Sequence, residues 1–104
     1  MGLKYGLPTG SFIDIVRIIS EFDHVDKAVL YGSRAMGTER EGSDIDIAIY
    51  GSKLSFDEFL SLKIALEELD LLYELDIVRF ETITNPDFIE HIKRVGVEIF
   101  KRNN

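Results

Sequence analysis

One segment of this chain alternates strictly between apolar and polar or small side chains, from Asp44 to Tyr50. Successive side chains of a β-strand point to opposite faces, so the segment predicts a strand with one apolar face and one polar face. The apolar face is formed by Ile45, Ile47 and Ile49. Such a face has to be buried, and the expected fold is a sheet with helices packed against that face.

Three segments carry apolar residues at helical spacing and predict helices over residues 11–23, 56–70 and 86–95. The first two open on predicted capping boxes, Ser11 with Asp14 and Ser55 with Glu58. The third opens on Asn85-Pro86, an N-cap followed by proline at the first helical position, and stops at Gly96. We expect the apolar residues of the second helix to be mostly buried, with a few left for a dimer or partner surface.

The remaining β-prone runs predict strands over residues 27–31 and 73–80, with an optional final strand over 97–100. The order is therefore α-β-β-α-β-α with one optional strand. We predict an α/β (α+β) fold in which a small mixed β-sheet packs with about three helices. At 104 residues, we expect a single domain over 1–104 that meets any large ligand at an open surface or shares it with a partner.

The formal net charge of −7 disfavours non-specific nucleic-acid binding, which depends on clustered Lys and Arg. No apolar stretch is long enough to span a membrane, and the chain has no Cys, so we expect a cytoplasmic protein without disulfides. His24 and His91 lack companions at metal-ligand spacing, which disfavours zinc, and both are expected to be solvated.

The most informative segment places Gly32-Ser33 at the end of one strand and Asp44 and Asp46 in the next, with ten residues between. Glycine allows a sharp turn and close approach of the backbone to a ligand. If a helical turn follows over 34–37, its free N–H groups form an anion site. Ser33 adds a hydroxyl, and Arg34 adds either a phosphate contact or an ion pair with the acidic loop that follows.

Asp44 and Asp46 point to the same face of their strand, so their carboxylates can converge on one cation. Carboxylate oxygens completed by water and substrate phosphates are the ligands that Mg²⁺ prefers, and a pair of such ions serves phosphoryl chemistry. Asp76, in the next predicted strand, is the candidate third carboxylate, with Glu74 as the alternative. An isolated Asp-x-Asp is more often only the wet face of a strand, but aspartate is disfavoured in strands and its recurrence here calls for a reason.

The spacing of Gly32-Ser33 and Asp44-x-Asp46 resembles the signature of the DNA polymerase β-like nucleotidyltransferases, and the small size resembles their minimal (MNT) members. The resemblance extends from about residue 13 to 100. It implies a nucleotidyltransferase-like fold, with phosphates held at Gly32 and Ser33, beside which Arg34 is the further candidate nucleotide contact. It also implies two Mg²⁺ ions held by Asp44, Asp46 and Asp76, the catalytic carboxylates.

The resemblance further implies transfer of a nucleoside monophosphate, AMP from ATP, to an acceptor hydroxyl. Minimal MNT proteins pair with helical HEPN proteins, so the expected role is that of an antitoxin that adenylylates a tyrosine of a HEPN toxin. Two other functions stay open, a non-catalytic antitoxin or adaptor that masks its partner and a stand-alone nucleotide hydrolase. The sequence also leaves a homo-oligomer open.

Overall fold

The computed structural model describes residues 3–103. Its elements in chain order are β1 (Leu3–Lys4), β2 (Leu7–Pro8), α1 (Thr9–Ser20), β3 (Lys27–Tyr31), α2 (Ser33–Met36), β4 (Ile45–Tyr50), α3 (Phe56–Glu67), β5 (Leu75–Arg79), a 3₁₀ turn (Phe80–Thr82), α4 (Pro86–Val95) and β6 (Val97–Lys101). The predicted short helical turn is therefore α2, and the predicted optional strand is β6.

Strands β3 to β6 form one mixed sheet in the order β5-β4-β3-β6. Strand β3 pairs antiparallel with both β4 and β6, whereas β4 and β5 are parallel. A parallel pair requires a crossover connection, and α3 lies between β4 and β5 in the chain. The predicted α/β fold with a small mixed sheet is confirmed.

The two faces of the sheet are covered by different helices. The Ile45, Ile47 and Ile49 face packs against α1 and α3 in the main core, as the alternation predicted. The opposite face packs Val29, Tyr31 and Ala48 against Ile92 of α4, in a smaller second core. One face of β4 is therefore apolar along its whole length. The opposite face carries the polar Asp46 near its start and becomes apolar at Ala48.

The start of the chain departs from the prediction. Strands β1 and β2 form a short antiparallel hairpin whose turn consists of Tyr5 and Gly6. Both residues have positive φ, the geometry of a tight two-residue turn. The chain passes directly from β2 into α1, which begins at Thr9 and ends at Ser20, earlier at both ends than predicted. The predicted capping box of Ser11 and Asp14 is wrong, because Pro8 is the N-cap and no side-chain hydrogen bond caps this helix among the described residues.

Helix α3 confirms the second predicted capping box and corrects the prediction of its burial. The Ser55 hydroxyl accepts from the Glu58 N–H, and the Glu58 carboxylate accepts from the Ser55 N–H. Leu62 and Leu66 are fully buried, but three apolar side chains face solvent: Phe56, Leu60 and Ile64. None of the helices within residues 3–103 is long and apolar enough to cross a membrane.

Helix α4 begins and ends as predicted. The Asn85 side chain accepts hydrogen bonds from the N–H groups of Asp87 and Phe88, and Pro86 occupies the first helical position. Gly96 ends the helix directly before β6. A side chain at Gly96 would collide with the Ile92 carbonyl oxygen and the Val29 side chain, so the glycine also permits close packing of α4 on the sheet.

Candidate active site

Three polar side chains form a row across the sheet on the face that α4 partly covers. Asp46 of β4 is paired with Tyr31 of β3 on one side and with Asp76 of β5 on the other. Neighbouring strands of a sheet lie about 4.8 Å apart, and side chains in register on them point to the same face. The sheet therefore brings together Asp46 and Asp76, two of the predicted carboxylates.

Asp44 lies directly before β4, two residues from Asp46, and is exposed, as is Asp76. Glu74 lies outside β5, and its carbonyl oxygen accepts a hydrogen bond from the Ile45 N–H at 2.8 Å. The register thus pairs Asp76 rather than Glu74 with Asp46. Asp44 and Asp76 are exposed near the starts of β4 and β5, where a substrate can approach from solvent.

Like charges affect one another in this row. The pKa of Asp46 is raised above its ordinary value by burial first, and then by the charges of Asp76 and Asp44. His91 and Arg34 act in the opposite direction and lower it. The pKa of the Tyr31 hydroxyl is also raised, by burial and by the charges of Asp76 and Asp46. The row is therefore a concentrated negative field, which a bound cation would neutralise.

A metal ion at these carboxylates would need ligands from elsewhere as well. Within residues 3–103, no group of three His, Cys, Asp or Glu side chains is placed to hold a metal ion by itself. Mg²⁺ is commonly bound by one or two carboxylates together with substrate phosphates and water. Asp46 is paired with Asp76 and has a raised pKa, so it fits such a partial site.

The turn after β3 makes room for the Asp46 carboxylate. Gly32 has φ +77° and ψ −156°, a conformation that is essentially restricted to glycine. A Cβ atom built at this position would overlap Oδ2 of Asp46. Helix α2 begins at Ser33, and no side chain caps its first N–H groups. The Gly32-Ser33 turn and the acidic strand are thus in direct contact, as the predicted site requires.

Arg34 does not extend into the solvent beside the turn. Only 3% of it is exposed, and its guanidinium donates to the carbonyl oxygens of Tyr5 at 3.1 Å and Ser43 at 2.8 Å. Its guanidinium carbon also lies 4.7 Å from the centre of the Tyr73 ring. No ion pair joins it to Glu39 or Glu41 in the described part of the chain, so the alternative of an ion pair with that loop is wrong. A phosphate contact by Arg34 stays a prediction.

Sequence reasoning missed two side chains beside the site. The rings of Phe88 and His91 on α4 meet the Tyr31 ring edge-on, with centroid distances of 5.6 and 6.2 Å. His91 was predicted to be solvated on the polar side of its helix, but it is half-buried and contacts the Tyr31 ring. The spacing of Phe88, His91 and Ile92 on one helical face was the signal that could have placed His91 toward the sheet.

The other predicted solvated histidine also has a partner. His24 Nδ1 lies 2.8 Å from Glu58 Oε2, although about half of its side chain stays exposed. The contact joins the turn before β3 to the start of α3. Sequence distance conceals it, since the two residues are 34 positions apart.

The sequence model of the family described as "Polymerase beta, Nucleotidyltransferase" matches residues 14–104. The chain belongs to this nucleotidyltransferase family. The resemblance drawn from Gly32-Ser33 and Asp44-x-Asp46 is thereby confirmed. No curated protein matches the chain by sequence.

Solved structures share the fold of this nucleotidyltransferase. A chain in the crystal structure of a toxin–antitoxin complex with AMP-PNP matches with a TM-score of 0.69 and 20% identity, over 88% of this chain and 73% of that chain. The Shewanella oneidensis tri-AMPylated HEPN toxin in complex with its MNT antitoxin gives a TM-score of 0.63 and 17% identity, over 88% of this chain and 71% of that chain. A chain of an MntA–HepT toxin–antitoxin complex gives a TM-score of 0.64 and 16% identity, over 91% of this chain and 74% of that chain.

Proposed function

We propose that this nucleotidyltransferase transfers AMP from ATP to an acceptor hydroxyl with the help of Mg²⁺. The observation that carries the proposal is the direct pairing of Asp46 with Asp76 in the sheet, beside a glycine turn shaped around the Asp46 carboxylate. Two carboxylates in register on a half-solvated surface are unfavourable without a cation. A substrate with phosphates at the Gly32-Ser33 turn brings that cation with it.

The proposed roles follow the positions of the residues. Asp44 and Asp46 would hold two Mg²⁺ ions, and Asp76 would complete the coordination on the side where the acceptor hydroxyl binds. Bound Mg²⁺ stabilises negative charge on the attacking and leaving oxygens of a phosphoryl transfer. The backbone of Gly32 and the hydroxyl and N–H of Ser33 would hold the phosphates in line with these carboxylates.

The transfer forms one bond and breaks one bond. The acceptor oxygen joins the α-phosphorus, the bond between that phosphorus and the oxygen bridging to the β-phosphorus breaks, and pyrophosphate leaves. The bonding electrons leave with pyrophosphate, and the proton of the acceptor hydroxyl passes to solvent water at this exposed surface. Because the row of carboxylates is open to solvent, the acceptor can be the side chain of another protein.

We further propose that the acceptor is a tyrosine of a HEPN-type helical toxin and that the protein acts as its antitoxin. The support is the shared fold with chains from toxin–antitoxin complexes, one of them with an AMPylated HEPN toxin. Residues 1–104 would form a single minimal transferase domain, with the acceptor provided by the partner. Because the reaction consumes ATP, a cytoplasmic location is part of the proposal.

Label transfer tests this proposal. The purified chain is incubated with α-labelled ATP, Mg²⁺ and the helical protein encoded beside it, and the labelled residue is found by mass spectrometry. We expect label on a partner tyrosine with wild type, and none after chelation of the metal or with Asp44→Asn plus Asp46→Asn. Asp23→Asn, exposed near the opposite end of β3, is the matched control and should keep full transfer.

The same experiment separates the other functions. A double Asp variant that still neutralises the partner would identify a masking module and overturn the proposed chemistry. Steady turnover of ATP by the isolated chain, without any acceptor, would identify a hydrolase. Transfer that survives both the double substitution and chelation would show that these carboxylates are not the active site.

A further inference from the structure

Three arginines of this chain are held in the same way. Arg34, Arg79 and Arg102 each lie over an aromatic ring, with guanidinium-to-centroid distances of 4.7, 5.9 and 5.1 Å. Each also donates to at least one backbone carbonyl oxygen. Arg34 is the most buried of them. A buried guanidinium is costly unless carbonyls and ring faces compensate its lost hydration, so such a cation stays where those groups fix it.

The contacts of Arg34 reach segments that carry site residues. Its own neighbour in the chain is Ser33 of the phosphate turn. It donates at 2.8 Å to the carbonyl oxygen of Ser43, the residue directly before Asp44. It stacks on Tyr73, which lies three residues before Asp76. One side chain therefore joins the turn to the starts of both acidic strands.

The guanidinium is occupied by these contacts and has no carboxylate partner within residues 3–103. Its Nε atom and Oε1 of Glu39 are both buried without a hydrogen-bond partner in this part of the chain, and both residues line one cavity of about 280 Å³. Two backbone carbonyl oxygens and the Tyr73 ring hold the guanidinium in place.

From this geometry we infer that Arg34 is a positioning residue that sets the Gly32-Ser33 turn against Asp44 and Asp76, and that it does not bind the nucleotide. The inference rests on the proposed function for its consequence in catalysis. It replaces the phosphate contact expected from the sequence. Lysine cannot substitute, because its ammonium lacks the planar fork that reaches two carbonyls while stacking on a ring.

Kinetics of Arg34→Lys test the inference. A small displacement of catalytic groups can cost about 100-fold in rate, so we expect kcat to fall by about 10- to 100-fold and KM for ATP to change little. Arg102→Lys is the matched control, since Arg102 stacks on Phe100 and donates to carbonyls of the α1–β3 connection. It should lower the melting temperature and leave kcat per folded molecule unchanged.

Two kinetic outcomes would overturn the inference. A rise in KM for ATP of about tenfold with unchanged kcat would mean that Arg34 binds phosphate, because lost ground-state binding appears in KM. An unchanged kcat per folded molecule would mean a purely structural role. Tyr73→Phe, which keeps the ring, should behave as wild type, whereas Tyr73→Leu should reproduce the kcat loss and replaces Arg34→Lys if that variant does not fold.

A readout without catalysis separates this inference from the proposed function. In amide NMR spectra of the free protein, Arg34→Lys should shift the resonances of Asp44 and Asp76, which are not its chain neighbours, and Arg102→Lys should not. Absent label transfer by wild type would overturn the proposed function while these shifts still support positioning. Unmoved Asp44 and Asp76 resonances would overturn positioning whether or not the wild type transfers label.

Discussion

Gly32 and Asp46 are so close that any side chain at position 32 would overlap the Asp46 carboxylate. The glycine directly follows β3, and the aspartate lies in the neighbouring strand β4, paired with Tyr31, the residue before that glycine. The two halves of the sequence motif, separated in the chain by the ten residues between Ser33 and Asp44, thus meet where Gly32 faces the Asp46 carboxylate. Their spacing is a property of the sheet pairing as well as of the loop.

We predict that Gly32→Ala disables the site and destabilises the fold. Its φ of +77° and ψ of −156° are essentially restricted to glycine, and strain of this kind costs about 1–3 kcal/mol before the overlap with Asp46 is added. Urea unfolding should show the loss, and label transfer should fall to background. The physical reason is displacement of either the turn or the carboxylate.

Gly37→Ala is the matched control for this prediction. Gly37 also has φ +77°, but within residues 3–103 no atom beyond its own chain neighbours lies within 4 Å of the position that its Cβ would take. It should lose about 1–2 kcal/mol from the left-handed backbone alone and should keep its transfer activity. Equal activity losses in the two variants would show that the contact with Asp46 is unimportant.

The raised pKa of Asp46 predicts that the metal-free protein loses stability as pH rises. The folded protein holds the Asp46 proton more tightly than the unfolded chain does. The stability that the protonated Asp46 contributes is therefore complete below the ordinary pKa of 3.8 and is lost as pH rises through the raised pKa. Asp46→Asn should flatten this part of the pH profile and stabilise the chelated protein at neutral pH, as measured by melting temperature in EDTA.

Added Mg²⁺ with a non-hydrolysable ATP analogue should raise the melting temperature of the wild type above that of Asp46→Asn. Ligands that bind only the folded state stabilise it, so the wild type should gain melting temperature and Asp46→Asn should not. An equal gain in both proteins would exclude Asp46 from the metal and nucleotide site. Asp23→Asn should respond as the wild type does.

Asp76 and Glu74 provide a second matched pair. Asp76 is in register with Asp46, whereas Glu74 lies outside β5. Loss of a metal-binding carboxylate removes several kcal/mol of transition-state stabilisation, so Asp76→Asn should lower kcat by at least about 100-fold. The kcat of Glu74→Gln should stay within about threefold of the wild-type kcat. The reverse result, measured by initial rates of label transfer, would assign the third carboxylate to Glu74.

The capping box of α3 predicts an acid-sensitive contribution to stability. Hydrogen bonds from the Ser55 backbone and from His24 hold the pKa of Glu58 below its ordinary 4.5. Its contribution is present above that value and is lost as pH falls through the lowered pKa. Glu58→Gln should therefore show a flatter stability profile below pH 5, measured by urea unfolding. Glu67→Gln, exposed in the last turn of the same helix, is the control.

Ser55→Ala tests the other half of the same box. Removing an N-cap hydroxyl costs about 1 kcal/mol, and the loss should persist at neutral pH, where the wild-type Glu58 carboxylate is ionised. Catalysis should be unaffected, because α3 packs on the face of the sheet opposite Asp46. A drop in kcat per folded molecule would indicate coupling between α3 and the acidic row.

Local patterns predicted most elements of the fold correctly. The alternation around Ile47 identified the buried face of β4, and the Ser55 and Asn85 caps identified the starts of α3 and α4, because these signals depend on near neighbours in the chain. Helix α1 was misplaced because Ser11 fits a capping pattern, whereas the chain enters the helix directly from β2 with Pro8 as the N-cap. The apolar residues of α3 were expected to be mostly buried, but Leu60 is exposed. Its apolar positions extend around more of the helix than the neighbouring elements cover.

The sequence by itself determined the chemistry offered at the site: a glycine turn followed by a serine, and two carboxylates on one face of a strand. Periodicity fixes those facts without reference to other elements. The tertiary structure alone decided that Asp76 is beside Asp46, that His91 of α4 contacts Tyr31, and that Arg34 turns inward to Ser43 and Tyr73. These relations depend on strand register and on which buried groups satisfy a cation, and both are properties of the packed sheet rather than of any local segment.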